Sequence, residues 1–265
     1  MIYSNKKEEW DMLNIEKIKS ELCRLGVKPP KIIYYELTDS TNTRAREYAR
    51  EYKENREPVI FIAEGQSAGR GRRGRSFVSN SGAGIYMSVL TYPDEKGADA
   101  TATTAKAAVI LARAIESLSD CDIKIKWVND LYLGGKKLAG ILTEGEMDER
   151  GNLLCQVVGM GINVYKNAIS EEISDIATSL EGELGRAPER SVLVARIICE
   201  LLSCPTDVYE EYKARSLVIS REVTVIKLNE SYKAKVLDID KDYALIIDRD
   251  GKTERLFTGE ISLKI

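Results

Sequence analysis

Residues 64–75 read Glu-Gly-Gln-Ser-Ala-Gly-Arg-Gly-Arg-Arg-Gly-Arg, with glycine at 65, 69, 71 and 74 and arginine at 70, 72, 73 and 75. Without a large apolar side chain the segment cannot bury itself, and its glycines disfavour a regular helix or strand. It can instead bring backbone N–H groups and guanidinium forks close to an anion. Apolar runs at 59–63 and 84–90 flank it, which predicts a long mobile loop between two strands, mounted over a pocket.

A second chemical pair lies in Asn129-Asp130-Leu131-Tyr132-Leu133-Gly134-Gly135-Lys136-Lys137-Leu138-Ala139-Gly140-Ile141-Leu142. Gly134-Gly135 between strand-like runs reads as a hairpin turn, pairing 133 with 136, 132 with 137 and 130 with 139. Side chains 130, 132, 137 and 139 then share a face, with Lys137 diagonal to Asp130 and Lys136 pointing away. A solvated cross-strand ion pair is the plain reading; a lysine serving an anionic substrate is the functional one. Third, Asp39-Ser40-Thr41-Asn42 opens a helix. It is either an ordinary N-cap or a place that presents hydroxyls and free N–H groups to a polar ligand.

Gly69-x-Gly71-x-x-Gly74 fits the dinucleotide-binding pattern, but that mechanism needs a helix to open there, and the next regular element is a strand. Gly251-Lys252-Thr253 resembles the end of a phosphate-binding loop, yet Ile246 occupies the place of its first glycine, so a hairpin turn explains it better. The formal net charge of −3 confines the basic character to the arginine cluster, against a dedicated nucleic-acid binder. No apolar run approaches a membrane span of about 18 residues, and the start lacks a signal-peptide core, so a cytoplasmic protein is expected. There is no histidine, which removes imidazole bases and the common zinc sites. The five cysteines (23, 121, 155, 199, 204) have no metal spacing and are expected to be reduced and mostly buried.

The positioning elements follow from periodicity. Leu13, Ile15, Ile18, Leu22 and Leu25 mark a short helix, ended by Gly26 and Pro29-Pro30. A strand at 32–35 precedes the helix opened at 39–42, whose buried stripe is Ala45, Tyr48, Ala49 and Tyr52. A helix over 101–118 turns Ala105, Ala108, Leu111, Ala112, Ile115 and Leu118 inward. A half-buried strand spans 123–127, and another over 154–159 leads into Gly159-Met160-Gly161-Ile162-Asn163, whose glycines would allow close ligand approach. Helices at 189–203, stopping before Pro205, and 207–214 follow. Short alternating strands punctuated by Asn229, Asp240 and Asp250-Gly251 then predict a small all-β domain.

Taken jointly, Asp39-Ser-Thr-Asn42, Gly69-Arg-Gly-Arg-Arg-Gly74, Lys126-Trp-Val-Asn-Asp130, Lys137-Leu-Ala-Gly-Ile141 and Gly159-Met-Gly-Ile-Asn163 occur in an order that closely resembles the biotin–protein ligases. The resemblance spans about residues 31–265 and includes Gly259-Glu260-Ile261-Ser262-Leu263. It implies an α/β fold: a mixed β-sheet catalytic domain of the class II synthetase-like, biotin/lipoate ligase type, with helices on one face, followed by an SH3-like barrel. The expected division is a helical extension over 1–30, a catalytic domain over 31–216 and the barrel over 217–265. Repressor-type members add an N-terminal DNA-binding domain; the chain resembles the single-function form and is expected to bind no DNA.

The resemblance also implies two half-reactions. Biotin carboxylate attacks the α-phosphate of Mg·ATP to give biotinyl-5′-AMP and pyrophosphate; a lysine of a biotin carboxyl carrier protein, of acetyl-CoA carboxylase or a related carboxylase, then displaces AMP. By position, Ser40, Thr41, Asn42 and Gln66 would hold the ureido ring, with Gly69 and Gly140 in the biotin site. Arg70-Gly71-Arg72 would close over biotin and adenylate. Lys137 would contact carboxylate and phosphate, and Asp130 the Mg²⁺ and triphosphate. Arg73, Phe77, Asn129 and Asn163 would approach the nucleotide. Lys137, Arg72 and Asp130 would form the catalytic set. Val128 stands where the family usually has proline, and Phe77 where a tryptophan commonly follows the loop. A lipoate or octanoate ligase of the same superfamily is the near alternative, decided by mass spectrometry of a modified carrier lysine. A non-catalytic nucleic-acid binder is the distant one. The resemblance leaves room for a homodimer.

Overall fold

The computed structural model describes residues 12–54, 56–92, 99–148, 151–204, 207–227, 230–257 and 260–262. Strands β1 (Lys31–Thr38), β2 (Val59–Gln66), β3 (Gly84–Thr91), β4 (Lys124–Lys126), β5 (Asp130–Leu133), β6 (Lys136–Met147) and β7 (Leu153–Asn163) form one sheet in the spatial order β1-β2-β3-β7-β6-β5-β4. β1 runs parallel to β2 and the remaining neighbours pair antiparallel, so the sheet is mixed. Its central strands are apolar on both faces and buried on both: all of Val59–Gln66 except its last residue is buried, as is Gly84–Leu90.

Both faces are therefore covered. Helices α1 (Ile15–Arg24), α3 (Ala100–Glu116) and α5 (Arg190–Ser203) lie on one face, sharing a core with Ile60, Ile62, Ile85 and Ile162. α2 (Thr41–Glu51) lies on the other, where Ala45, Tyr48 and Ala49 pack on Phe61, Leu90 and Val157. The resemblance implied helices on one face only; α2 is the exception, and it carries Thr41 and Asn42 to the site. Tyr52, expected in α2's buried stripe, is the C-cap residue, 46% exposed, and stacks on Tyr48 instead. Short helices α4 (Leu180–Leu184) and α6 (Tyr209–Ala214) complete the layer that leads to the second unit.

Strands β8 (Glu222–Ile226), β9 (Ser231–Ile239), β10 (Leu245–Arg249), β11 (Lys252–Leu256) and β12 (Glu260–Ser262) make an antiparallel sheet in the order β11-β10-β9-β8-β12, the SH3-like C-terminal domain. Its alternation buries Val223, Val225, Ala234, Val236, Leu245 and Ile247. Asp250 and Gly251 both have positive φ between β10 and β11, so Gly251-Lys252-Thr253 is a hairpin turn as expected.

The two units are tied at named points. Trp127 Nε1 donates to the Tyr243 carbonyl at 2.9 Å, Tyr212 OH to Val128 O at 3.1 Å and Tyr209 OH to Ile239 O at 2.7 Å. The Trp127–Val128 peptide bond is cis.

Of the cysteines only Cys155 is buried; Cys23 is exposed, the other three are intermediate, and all five are free. Burial, reinforced by Glu116, pushes the Cys121 thiol up to about 11. Among the described residues no helix is long and apolar enough to cross a membrane. The expectations on residues 1–11, Pro205, Asn229, Gly259 and Leu263 lie outside the described residues.

Candidate active site

The Gly134-Gly135 turn forms as expected, with φ of 58° and 81°, and pairs Leu133 with Lys136 and Tyr132 with Lys137. Beyond it the register departs from expectation. A bulge between Leu131 and Tyr132 pairs Leu131 with Ala139 and Asp130 with Gly140. The extra residue lets Leu138 and Ala139 both go into the core, and Gly140 rather than Ala139 joins Asp130 at the site. Lys137 Nζ lies 2.7 Å from Asp130 Oδ1, while Lys136 Nζ turns away to donate to Ser174 O at 2.8 Å. A Cβ on Gly140 would stand 3.4 Å from Lys137 Nζ, so its absence leaves room for the ammonium. Burial and then Asp130 push the Tyr132 phenol up to about 12.

At the N-terminus of α2, Ser40 is the N-cap residue but its hydroxyl makes no capping bond. The cap comes from Gln66, whose Oε1 accepts from Thr41 N at 2.8 Å and Thr41 Oγ1 at 3.2 Å, while its Nε2 donates to Ser79 Oγ at 2.9 Å. Asn42 is held from both sides: Nδ2 donates to Glu144 Oε2 at 2.8 Å, and Oδ1 accepts from Ser88 Oγ at 2.6 Å. Ser40, Thr41 and Asn42 are each 3% exposed, so a pocket of fixed hydroxyl and amide groups stands open at a helix N-terminus. Arg44 and the Ser40 N–H secure this turn through Asp39; although burial raises its carboxyl, those bonds hold it below its ordinary range.

The loop after β2 folds back on itself. An isolated bridge joins Arg70 to Ser76, and a single 3-10 turn (Arg72–Gly74) forms its tip, with no α-helix at the glycine pattern. Arg70 pairs with Glu144 at 3.0 Å, Arg72 Nη1 donates to Asn129 Oδ1 at 3.0 Å, and Arg73 Nη1 donates to Ile226 O of the C-terminal domain at 3.1 Å. The three arginines thus reach β6, the segment before β5 and β8. Gly69 is required: a Cβ there would lie 2.3 Å from the Phe77 carbonyl oxygen.

One cavity is lined by Ser40, Thr41, Asn42 and Gln66 on one side, by Arg70, Gly71, Arg72, Arg73 and Phe77 above, and by Asn129, Asp130, Lys137 and Gly140 on the other. Gly69 and Asn163 do not line it. Asn163 is 7% exposed and donates to Thr178 O at 3.1 Å. Gly159 and Gly161 do line the cavity, and each also makes room for a neighbouring side chain. A Cβ on Gly159 would stand 2.2 Å from Asn42 Oδ1, and one on Gly161 2.6 Å from the Phe77 ring, so both admit protein side chains that border the cavity. Chemically the cavity joins a neutral hydrogen-bonding end to a cationic end, where the Asp130 carboxylate is paired with Lys137.

Residues 34–163 match the model of the Biotin/lipoate A/B protein ligase family. The chain is 30% identical over 265 residues to the bifunctional ligase/repressor BirA of Bacillus subtilis, covering 93% of this chain and 79% of that protein. The chain belongs to the biotin/lipoate A/B protein ligase family. A second relative within the ligases, the biotin–[acetyl-CoA-carboxylase] ligase of Mycobacterium tuberculosis, is 29% identical over 77% of this chain and 78% of its own length. The biotin protein ligase of Aquifex aeolicus, solved in complex with biotin and ATP, superposes with a TM-score of 0.72 at 26% identity, over 88% of this chain and 98% of that one.

Three residues of this family member's site escaped the sequence reading. Ser88, fully buried, is the one small polar side chain inside the apolar run 84–90, and that polarity was a usable signal. Glu144, which grips both Asn42 and Arg70, alternates with Glu146 in β6, a spacing that does not single it out. Glu64, 2% exposed, is a charge at the end of an apolar strand, and it forms an ion pair with Arg190 at 2.9 Å.

Proposed function

We infer that the chain is a biotin–protein ligase, converting biotin and ATP to biotinyl-5′-AMP and pyrophosphate and then transferring the biotinyl group to a lysine of a biotin carboxyl carrier protein. The observation that carries this reading is that one cavity is lined both by the hydroxyls and amide at the start of α2 and by the Lys137–Asp130 pair. The neutral end suits a ureido ring, which needs fixed donors and acceptors and no charge. Ser40, Thr41 and Asn42 supply these, and Gln66 orients them by capping α2.

Joining a carboxylate to an α-phosphate brings two anions together, and Lys137 is placed to neutralise both as charge builds on the phosphoryl oxygens. Arg70 and Arg72 add charge from above and exclude water from the mixed anhydride. In the second half-reaction the acceptor amine attacks the acyl carbon, the bond to phosphate breaks, and AMP leaves as an anion beside the same lysine. Magnesium enters with ATP as part of the substrate. Among the described residues no group of three or more Asp, Glu, Cys or His could hold a metal, which suits an ion carried by the triphosphate with Asp130 as its one protein carboxylate. Phe77 and Asn129 would border the nucleotide end. The division at residues 30 and 216, and a cytoplasmic setting, complete the reading. Biotin-dependent exchange of labelled pyrophosphate into ATP tests it; exchange driven by lipoate or octanoate instead would overturn the substrate assignment.

A further inference from the structure

Arg190, 1% exposed, stands in the first turn of α5 and has no place in the cavity. Its Nη1 donates to Glu64 Oε2 at 2.9 Å and to the Gly84 carbonyl at 3.0 Å. These two acceptors sit at the two roots of the glycine-arginine loop, Glu64 near the end of β2 and Gly84 at the start of β3. The other Glu64 oxygen accepts from Leu13 N, and the Glu64 carbonyl accepts from Gly82 N at 3.3 Å. The roots are closed further: Gln66 N donates to Ser79 O at 3.0 Å, and a Cβ on Gly84 would lie 2.4 Å from Ile162 O. Between these roots the loop is largely open to solvent, with residues 67–68, 70, 73–76, 78 and 80–81 exposed.

A buried ion pair is weak evidence for stability, since well-packed apolar groups of similar volume often serve a fold as well. What a planar guanidinium adds is geometry, because the two N–H bonds of the one Nη1 point in fixed directions, one at each acceptor. We propose that Arg190 is a positioning residue that fixes both roots of the loop to the helical layer, so that the arginine tip closes from a rigid base and retains the activated intermediate. The inference rests on the reading of this loop as the lid over biotinyl-5′-AMP, and it adds a residue 126 positions from Glu64 in sequence to that device.

The test uses the full chain and two variants. Glu64→Gln/Arg190→Met removes the pair while leaving Gln an acceptor for Leu13 N; Arg190→Lys keeps the charge but not the planar, fixed N–H directions. Hydrogen exchange at residues 64–66 and 82–84 reads the clamp without any ligand: slow in the parent, about tenfold faster in each variant, the effect of losing one hydrogen bond. Loss of biotinyl-5′-AMP, followed by gel filtration after a biotin and ATP pulse, should speed up about tenfold, with initial adenylate synthesis falling less. Thermal melts monitor folding. A folded variant that keeps the parent's exchange at the roots and its hold on the intermediate overturns the proposal. Fast exchange at the roots of the parent does so even if both variants unfold. A parent that forms no adenylate would instead refute the ligase reading, with the exchange result still deciding the clamp.

Discussion

Lys137 Nζ and Asp130 Oδ1 lie 2.7 Å apart across the β5–β6 hairpin, on the strand face that also carries Gly140. The pair is partly open, with side-chain exposures of 35% and 19%, so the contact as it stands contributes little to stability. Its value lies in placement. The turn fixes which of two adjacent lysines meets the cavity, and the bulge that follows brings Asp130 opposite a residue with no side chain.

Lys137→Ala should lower adenylate formation about 100–1,000-fold, the usual scale for removing a preorganised charge from a developing oxyanion. Lys136→Ala, which loses only an exposed bond to Ser174 O, should stay within about twofold of the parent. Pyrophosphate exchange measures both; comparable losses in the two variants would refute the assignment of sides.

How much of this was legible beforehand varied with range. The Gly-Gly turn, the strand alternation and the α2 stripe are local, so spacing alone placed Lys137 toward Asp130 and Ala45, Tyr48 and Ala49 toward the sheet. The bulge was not legible, because it arises when Leu138 and Ala139 both enter a core assembled from distant strands. Glu144 and Ser88 were missed for a similar reason. Their partner Asn42 lies 102 and 46 residues away, and no local period encodes that meeting. Asn163 was placed at the nucleotide by resemblance, and its direct bond is to Thr178.

Arg72→Gly should weaken retention of the intermediate more than its synthesis. Arg72 spans from the loop tip to Asn129 at 3.0 Å, whereas synthesis also draws on Lys137. Loss of a charge-assisted contact costs about 1.5–3 kcal/mol, or roughly one to two decades in retention. The released anhydride should then label lysines of an unrelated protein supplied with biotin and ATP. An adenylate bound as tightly as in the parent would show that Arg72 is not part of a lid.

The C-terminal domain should matter to the chemistry through Trp127. Its indole N–H reaches Tyr243 O at 2.9 Å, two residues before Asn129. Deleting residues 217–265 would uncover Trp127 and Tyr212, 4% and 1% exposed, so a point change is the cleaner probe. Trp127→Phe keeps the ring and leaves the buried carbonyl unpaired, at a cost of about 1–3 kcal/mol. Denaturant melts should show that loss, and both half-reactions should slow as Asn129 and Asp130 lose their support. Full rates in a measurably destabilised variant would separate the domain from the site.

Acid stability should depend on Glu211. Burial raises its carboxyl, but Arg113 from α3 and Arg215 outweigh that and hold it below its ordinary value. A depressed carboxylate contributes stability that is complete above the unfolded-state value, about 4.3 for a glutamate, and is lost as pH falls through the folded-state value. Glu211→Gln should therefore be less stable than the parent at pH 7, with the gap narrowing as pH drops below about 4. Urea melts at both pH values check this; a gap independent of pH would mean the ionised pair contributes nothing.

Two glycines on β7 should separate the substrates. A Cβ at Gly159 would lie 2.2 Å from Asn42 Oδ1, and Asn42 cannot swing away without breaking its bonds to Glu144 at 2.8 Å and Ser88 at 2.6 Å. A Cβ at Gly161 would meet the Phe77 ring at 2.6 Å, and that ring belongs to the loop rather than to α2. Gly159→Ala should then displace the amide that faces biotin, raising KM for biotin about tenfold, the worth of one hydrogen bond, with KM for ATP little changed. Gly161→Ala should push Phe77 outward and raise KM for ATP instead. The exchange assay run across biotin and ATP concentrations gives all four values. If each alanine raises both constants alike, Asn42 and Phe77 do not serve opposite ends of the cavity, and the partition into a ureido end and a nucleotide end fails with them.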